Sequence, residues 1–367
     1  MKRFTLLALL LLASGEAAAG AFANTDRSAS AMGLSNAFVA TADDVSALGI
    51  NPAGIAWQSP QGFMAGTSIR YRNSSVQRPG LGVAPNTGVP DNALYLYAYR
   101  MPHDSNFGYG IATDQPYLVN NHWPDLAGSS DTLLDVRRFS GDGIWALDSS
   151  LALGAGLDGY FARAEMVSNG QRFSGRDKAS FGGHLSAMWK PQRGLSFGGT
   201  LRSGSNLSVS GAGGTMKLRL PESLAVGVAI DSGDTLRSEI DLEWTRWSAT
   251  RSMSVVKNGV TVQPRPLKLR DTLDLSYGLT WSWAEKSTLR FGYSYLQAAN
   301  RNDSLNPGIA DQPGHRLAMG LGGDMFGAHF DFAYSYTHCA KRSVSGPYAG
   351  NYRDRQQTFG ISASNFY

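Results

Sequence analysis

Leu273-Asp-Leu-Ser-Tyr-Gly-Leu-Thr-Trp281 is the stretch whose reading decides the fold. Leu273, Leu275, Tyr277, Leu279 and Trp281 share one parity, while Asp274, Ser276, Gly278 and Thr280 take the other. Successive side chains of an extended chain point to opposite faces, so this stretch reads as a strand with one apolar and one polar face. The pattern recurs. Phe181, Gly183, Leu185, Ala187 and Trp189 oppose Ser180, Gly182, His184 and Ser186. Leu218, Leu220, Leu224, Val226, Val228 and Ile230 oppose Arg219, Ser223, Gly227 and Asp231. Ile240, Leu242 and Trp244 oppose Glu239, Asp241 and Glu243, and Phe330, Phe332, Tyr334 and Tyr336 oppose Asp331, Ser335 and Thr337. Long strands with an apolar, aromatic-ended face are the mark of a transmembrane β-barrel. A soluble sandwich has shorter strands and hides its apolar face in a core.

Working outward, the period predicts about fourteen antiparallel strands: 62–73, 92–101, 107–116, 132–148, 151–166, 175–190, 195–211, 214–231, 236–256, 267–284, 287–299, 314–325, 328–342 and 352–366. Connections 102–106, 149–150, 191–194, 232–235, 285–286 and 326–327 are tight. Most of those alternating with them, such as 74–91, 117–131, 257–266, 300–313 and 343–351, are longer. Tight periplasmic turns and longer external loops alternate in this way in an outer-membrane barrel, and closure leaves no edge unpaired. The last strand places Phe359, Ile361, Ala363 and Tyr367 on one face, with Asn365 a polar exception.

Composition agrees. The 367 residues include 43 Gly, 15 Tyr, 16 Phe and 8 Trp, with 42% hydrophobic and 17% charged residues, which suits aromatic girdles and bent strands. No apolar run long enough for a membrane helix follows residue 19. The single Cys339 excludes an intramolecular disulfide framework. A net charge of +4, dispersed along the chain, gives no nucleic-acid footprint. Residues 1–19 read as a secretory signal: Lys2 and Arg3, the apolar Phe4–Ala13, then Ala17-Ala18-Ala19, with a cut after Ala23 as an alternative.

Between signal and barrel lies Ala29–Trp57, rich in Ala, Ser and Gly. Leu34, Phe38 and Val39 fall at helical spacing, and a second helical turn is expected around Asp43–Leu48. Pro52 bars the helical conformation for Asn51 and ends that helix. So compact a segment needs a concave host, and the barrel from residue 62 onward supplies one. The expected division is signal 1–19, an N-terminal hatch 20–61 and a barrel 62–367.

Enzyme signals are weak. Gly154-x-Gly156-x-x-Gly159 lies inside an alternating strand with no helix after it, and no Gly-x-Ser-x-Gly occurs. The six histidines lack metal-ligand spacing, so no catalytic, metal or cofactor site is expected. Inward Arg70, Arg202, Arg219, Arg290 and Arg316 are matched by inward Asp158, Asp231, Glu239, Asp241, Glu243, Asp274 and Asp331, an arrangement suited to internal pairing.

The signal, the start Gly20-Ala21-Phe22, the small-residue plug with Asn51-Pro52-Ala53-Gly54 and the fourteen strands together resemble the FadL/TodX outer-membrane transporters of long-chain fatty acids and aromatic hydrocarbons. Leu220–Ala229, Leu242–Ser248 and Leu289–Tyr295 are similar to strand motifs of that family, and Ile309–Gly322, with Asp311 and Arg316, resembles its Asp/Arg-containing region. The resemblance implies an outer-membrane carrier of hydrophobic molecules with lateral release into the membrane. A general diffusion porin or surface receptor is the alternative, and the plug argues against it. It further implies that Phe22 reaches the lumen pocket and that the third strand is kinked, with Gly108, Gly110 and Pro116 as candidates. The competing reading of those glycines is room for a bulky neighbour. Asn51, Pro52 and Ala53 are expected to clamp the hatch. Tyr117, Leu118 and Trp123, apolar for a loop, and Arg316 are the remaining ligand-binding candidates. The third and fourth external loops, around 167–174 and 211–213, are short for a collecting groove. The expected partners are a hydrophobic ligand, outer-membrane lipids and the outer-membrane assembly machinery, with the protein acting as a monomer.

Overall fold

The computed structural model describes residues 20–126, 131–168, 170–303, 305–309, 311–346 and 348–366. The proposed signal, 1–19, lies outside them. Fourteen strands form one closed antiparallel barrel. The first three are Gln61–Arg78, Asp91–Arg100 and Phe107–Asn121; Asp131–Ala146, Leu151–Ser168 and Gln171–Gln192 follow. The seventh (Leu195–Arg202 and Ser205–Gly211) and eighth (Gly214–Leu220 and Ser223–Ser232) each run in two parts. The ninth is Leu236–Thr245, continued by Val255–Lys257. Thr272–Ala284, Ser287–Leu296, Gly314–Met325, Ala328–Cys339 and Gly350–Phe366 complete the wall. Short hairpin pieces, Gly82–Pro85, Val260–Gln263 and Arg342–Val344, extend it at the long-loop end. Closure comes from the first strand pairing with the last, from Gly62↔Phe366 to Gln77↔Asn351.

The alternation expected from the sequence holds in the half of the wall nearer the tight turns. Phe139, Trp145, Leu157, Phe181, Leu185 and Trp189 are exposed on the outer face, whereas Arg138, Asp142, Asp158, His184 and Ser186 are buried inside. Nearer the long loops the polarity inverts. On the fourth strand Leu134 and Val136 point inward and are fully buried, and Arg137 is exposed outside. The eighth strand corrects the sequence reading. Leu218 and Leu220 are buried in the lumen and Leu224 and Val226 are exposed outside, although all four share a parity. The reason is a break at Pro221 and Glu222, matched by Ser203 and Gly204 across the pair. The ladder resumes in the same register, Leu220↔Ser205 and Ser223↔Arg202, with the faces exchanged. Proline has no N–H to give the ladder, so it suits such a break.

The N-terminal segment fills the barrel. Its helices are shorter than the spacing of Leu34, Phe38 and Val39 suggested. The first, Ala29–Gly33, is capped by Ser28, whose hydroxyl accepts from the Ala31 amide. It ends because Ser35 and Asn36 take left-handed conformations, φ 53° and 68°. The second is Ala47–Ile50, starting later than expected, and it stops at extended Asn51 before a 3-10 turn, Pro52–Trp57.

Candidate functional site

Two sets of wall groups hold the segment. On the ninth strand, one Asp241 oxygen accepts from the amides of Phe38 (2.7 Å) and Val39 (2.9 Å), and Glu239 accepts from Ala40 (2.5 Å) and Thr41 (3.1 Å). These carboxylates satisfy consecutive backbone donors that a helix would otherwise have used, so this stretch remains a turn. Three strands away, on the sixth strand, the Ala187 carbonyl accepts from Nδ2 of buried Asn51 (3.1 Å), which also donates to the Val39 carbonyl within the segment (2.7 Å). Ala53 donates its amide to Ser186 Oγ at 3.2 Å. Pro52 and Ala53 come so close to Gly154 that a Cβ there would lie 3.1 Å from the Ala53 nitrogen. A glycine of the apparent nucleotide motif thus makes room for the hatch.

Above these clamps, towards the long loops, the inverted half of the wall encloses an apolar cluster. Leu134, Val136, Met166, Phe173, Leu207 and Leu218 all point into it. At its heart is Phe22, 2% exposed, edge-on to Trp247 (centroids 4.9 Å apart) and Tyr117 (5.6 Å). Edge-to-face aromatic pairs are favourable at such separations. The segment carrying Phe22 is tethered by Asp311, which accepts from the Ala21 amide at 2.8 Å. Phe22 and Tyr117 were expected here from the sequence; Trp247 and the lumen residues of the seventh and eighth strands were not. The signal for the latter was the pair of breakers Gly204 and Pro221, at matching heights of one hairpin.

Beside Phe22 the wall is incomplete. The second and third strands pair only from Leu96↔Thr113 to Arg100↔Tyr109. The third strand bulges between Asp114 and Tyr117 against the fourth. In the unpaired stretch the N-terminal segment replaces the second strand: Asn24 donates to the Pro116 carbonyl (2.8 Å), and Leu118 donates to that of Phe22 (3.0 Å). The Gln115 side chain spans the rest, accepting from the Leu94 amide at 2.8 Å and donating to Asp135 at 2.8 Å.

The other candidates fall elsewhere. Gly108 and Gly110 lie in regular ladder, where a Cβ would strike Met101 Sδ (2.5 Å) and Leu48 Cδ2 (2.5 Å); they clear neighbours and do not bend the strand. Tyr117 and Leu118 belong to the third strand, which runs past Pro116 to Asn121, and not to a loop. Trp123 is buried in a separate cluster among the loops, with Leu126, Leu305 and Tyr352, and donates to the Pro307 carbonyl at 2.9 Å. Arg316 faces the hatch, 3.3 Å from Asp26 Oδ1.

Directly below the apolar cluster, charges are paired with one another. Arg138 donates from Nε to Asp114 (2.9 Å), Arg202 donates to Asp158 (2.6 Å), and His184 lies 2.7 Å from Asp142 and 3.2 Å from Asp158. Further round, Arg290 pairs with Asp331 at 2.5 Å and Arg70 with Asp26 at 3.6 Å. Burying such ions is tolerable only because each has partners. The result is a polar floor beneath the apolar cluster.

A plugged fourteen-strand barrel with this topology can be compared with known proteins. The family model for the outer membrane protein transport proteins (OMPP1/FadL/TodX) matches residues 10–364. The chain belongs to that family. Membership makes it an outer-membrane transport channel for hydrophobic molecules and not an enzyme. Among solved structures it is similar to a Pseudomonas aeruginosa FadL homologue (TM-score 0.82, 16% identity, covering 94% of this chain and 99% of that one). It is also similar to the P. putida toluene transporter TodX (TM-score 0.69, 16% identity, 88% and 94%) and to the CymD monoaromatic hydrocarbon channel (0.68, 15%, 92% and 96%). At such identities the likeness is one of fold. No curated protein matches the chain.

Proposed function

We propose that an apolar molecule, a long-chain fatty acid or an aromatic hydrocarbon, enters from the long-loop end, displaces Phe22 from the external chamber and leaves sideways between the second and third strands at Pro116. One observation carries this reading: Phe22 sits in an apolar cluster, and its own backbone closes the unpaired stretch of wall beside it. Moving that segment vacates the chamber and uncovers the gap in one step. The charged floor below makes continued descent through the lumen costly for an apolar ligand, because burying ions against it would forfeit their partners. In this reading residues 20–61 act as the hatch on the 62–367 barrel, clamped at Asn51, Pro52 and Ala53. The signal 1–19 is cleaved, the outer-membrane assembly machinery inserts the barrel, and the protein works as a monomer in contact with outer-membrane lipids.

A reversible cross-link across the gap tests the route. Leu94→Cys with Gln115→Cys, placed where the ladder would have continued, should block uptake of radiolabelled fatty acid or toluene when oxidised and restore it when reduced. Undiminished uptake with the link formed would refute lateral exit.

A further inference from the structure

On the outer face of the last strands, the apolar alternation ends in a row of tyrosines and then in a ledge of basic side chains. Register sets Arg355 beside His338 and His338 beside His315, on three neighbouring strands. All three are exposed, as is Arg353 two residues further along the same face. Neighbouring strands lie about 4.8 Å apart, so the ledge is about 10 Å long. One row nearer the tight turns, Tyr71, Tyr336 and Tyr293 share that outer face. Aromatic rings at such a level mark the boundary between lipid and water. The acid between the two arginines, Asp354, is buried on the lumen side, where it pairs with Arg72 at 2.8 Å. Among the described residues no carboxylate lies within ion-pairing distance of Arg353 or Arg355. The Tyr293 hydroxyl lies 2.8 Å from His315 Nδ1. With that hydroxyl donating, the ring keeps its N–H at Nε2 for an acceptor elsewhere.

Below the ledge the same strands carry an apolar groove of about 630 Å³. Met319, Tyr334 and Phe359 flank it on the ledge side, and Leu321, Phe332 and Ile361 on the other. Its floor is the bare backbone of Gly320, Ala333 and Gly360, one residue row whose side-chain positions point to the lumen. A Cβ on Gly320 would lie 3.1 Å from the Cα atom of Gly33, and one on Gly360 would lie 2.5 Å from Met32 Cε, both inside the barrel. Phe359 and Arg355 are four residues apart on one strand, about 13 Å, a distance that an acyl chain spans.

We propose that this wall binds a phosphorylated acyl lipid of the outer leaflet, with a phosphate on Arg355 and His338 and an acyl chain in the groove. A planar guanidinium pairs with phosphate through two parallel hydrogen bonds, and the imidazole N–H groups add donors beside it. A free phosphate would leave the groove unused, and an uncharged lipid would leave Arg353 and Arg355 without a counter-ion. The site lies outside the barrel and stands independently of the transport route.

Native mass spectrometry of the detergent-purified protein with lipid A tests this. The parent should retain one lipid A per chain. Arg355→Glu should lower the retained fraction about tenfold, the worth of one charge-assisted contact. Arg355→Gln with His338→Gln should lower it comparably without adding a repelling charge. Both positions are exposed, so the heat-modifiable barrel should persist in each variant. Arg137→Glu, at the boundary on the fourth strand, should retain lipid A at the parent level. Lipid A stripped of its phosphates should be retained about tenfold less, and millimolar inorganic phosphate should not displace the intact lipid. Retention unchanged in both ledge variants, or lost equally in Arg137→Glu, would overturn the site. Equal retention of the dephosphorylated lipid would overturn it too, and displacement by inorganic phosphate would replace it with a free-anion site.

Discussion

The two halves of the barrel wall are built from the same strands yet read in opposite senses. In the half nearer the tight turns, aromatic and aliphatic side chains face outward and ions face the lumen. In the half nearer the loops, Arg137, Arg163 and Lys217 face outward and Leu134, Val136, Ala162 and Leu218 face inward. The fourth strand makes the change without a break: Phe139 outside and Arg138 inside give way, within two residues, to Arg137 outside and Val136 inside. The physical cause is the solvent. Lipid surrounds one half and water the other, and each outer face takes the polarity of what it meets. The lumen face uses the remaining residues, which gives a polar lining at membrane depth and an apolar cluster outside it.

The largest expected effect breaks the hatch on which both halves depend. Deleting Ala29–Trp57 should convert the protein into a steady open pore in planar-bilayer recordings, while the β-rich, heat-modifiable barrel persists. Parent-like conductance would mean that the segment does not occlude the bore. Next comes a pair of substitutions two residues apart on one outer face. Phe139→Arg, just on the lipid side of the boundary, should destabilise the folded barrel by about 1 kcal/mol, the cost of a charge on the lipid face close to the interface. Arg137→Leu, on the water side, should stay within about 0.5 kcal/mol. Urea titration of barrels refolded into vesicles reads both, and equal costs would erase the boundary.

Effects confined to the hatch belong to the clamps. Asn51→Ala leaves the Val39 and Ala187 carbonyls without their side-chain donor and should cost about 1–3 kcal/mol of hatch closure. Its signature is flickering conductance with an unchanged barrel. The smallest change is Gly110→Ala, whose added methyl meets the flexible end of Leu48. It should raise the conductance noise slightly, and Leu48→Ala in the same chain should remove the increase.

The barrel and its plug were legible because period-two alternation is imposed directly by membrane and lumen, and because the small-residue segment before the first strand has no strand pattern. The inverted half was not. Leu218 and Leu220 alternate as regularly as Leu224 and Val226, and parity alone carries no label for inside or outside. Only Gly204 and Pro221, read together as breaks at one level of a hairpin, could have marked the exchange of faces. The helix read into Leu34, Phe38 and Val39 failed for a related reason: its backbone donors go to Asp241 and Glu239, some 200 residues away, and local spacing cannot register that competition. Glycines in the third strand suggested a bend, but the ladder fails only from Asp114 onward, where the N-terminal segment takes the place of a neighbouring strand.

Whether an apolar ligand occupies the external chamber can be read from Trp247, which lines it beside Phe22. A brominated alkane such as 1-bromododecane quenches tryptophans it touches. Added to the purified protein, it should quench a saturable part of the fluorescence, and that part should vanish in Trp247→Phe while binding of the alkane itself persists. Saturable quenching that is the same in parent and variant would place the ligand outside the chamber and contradict the account.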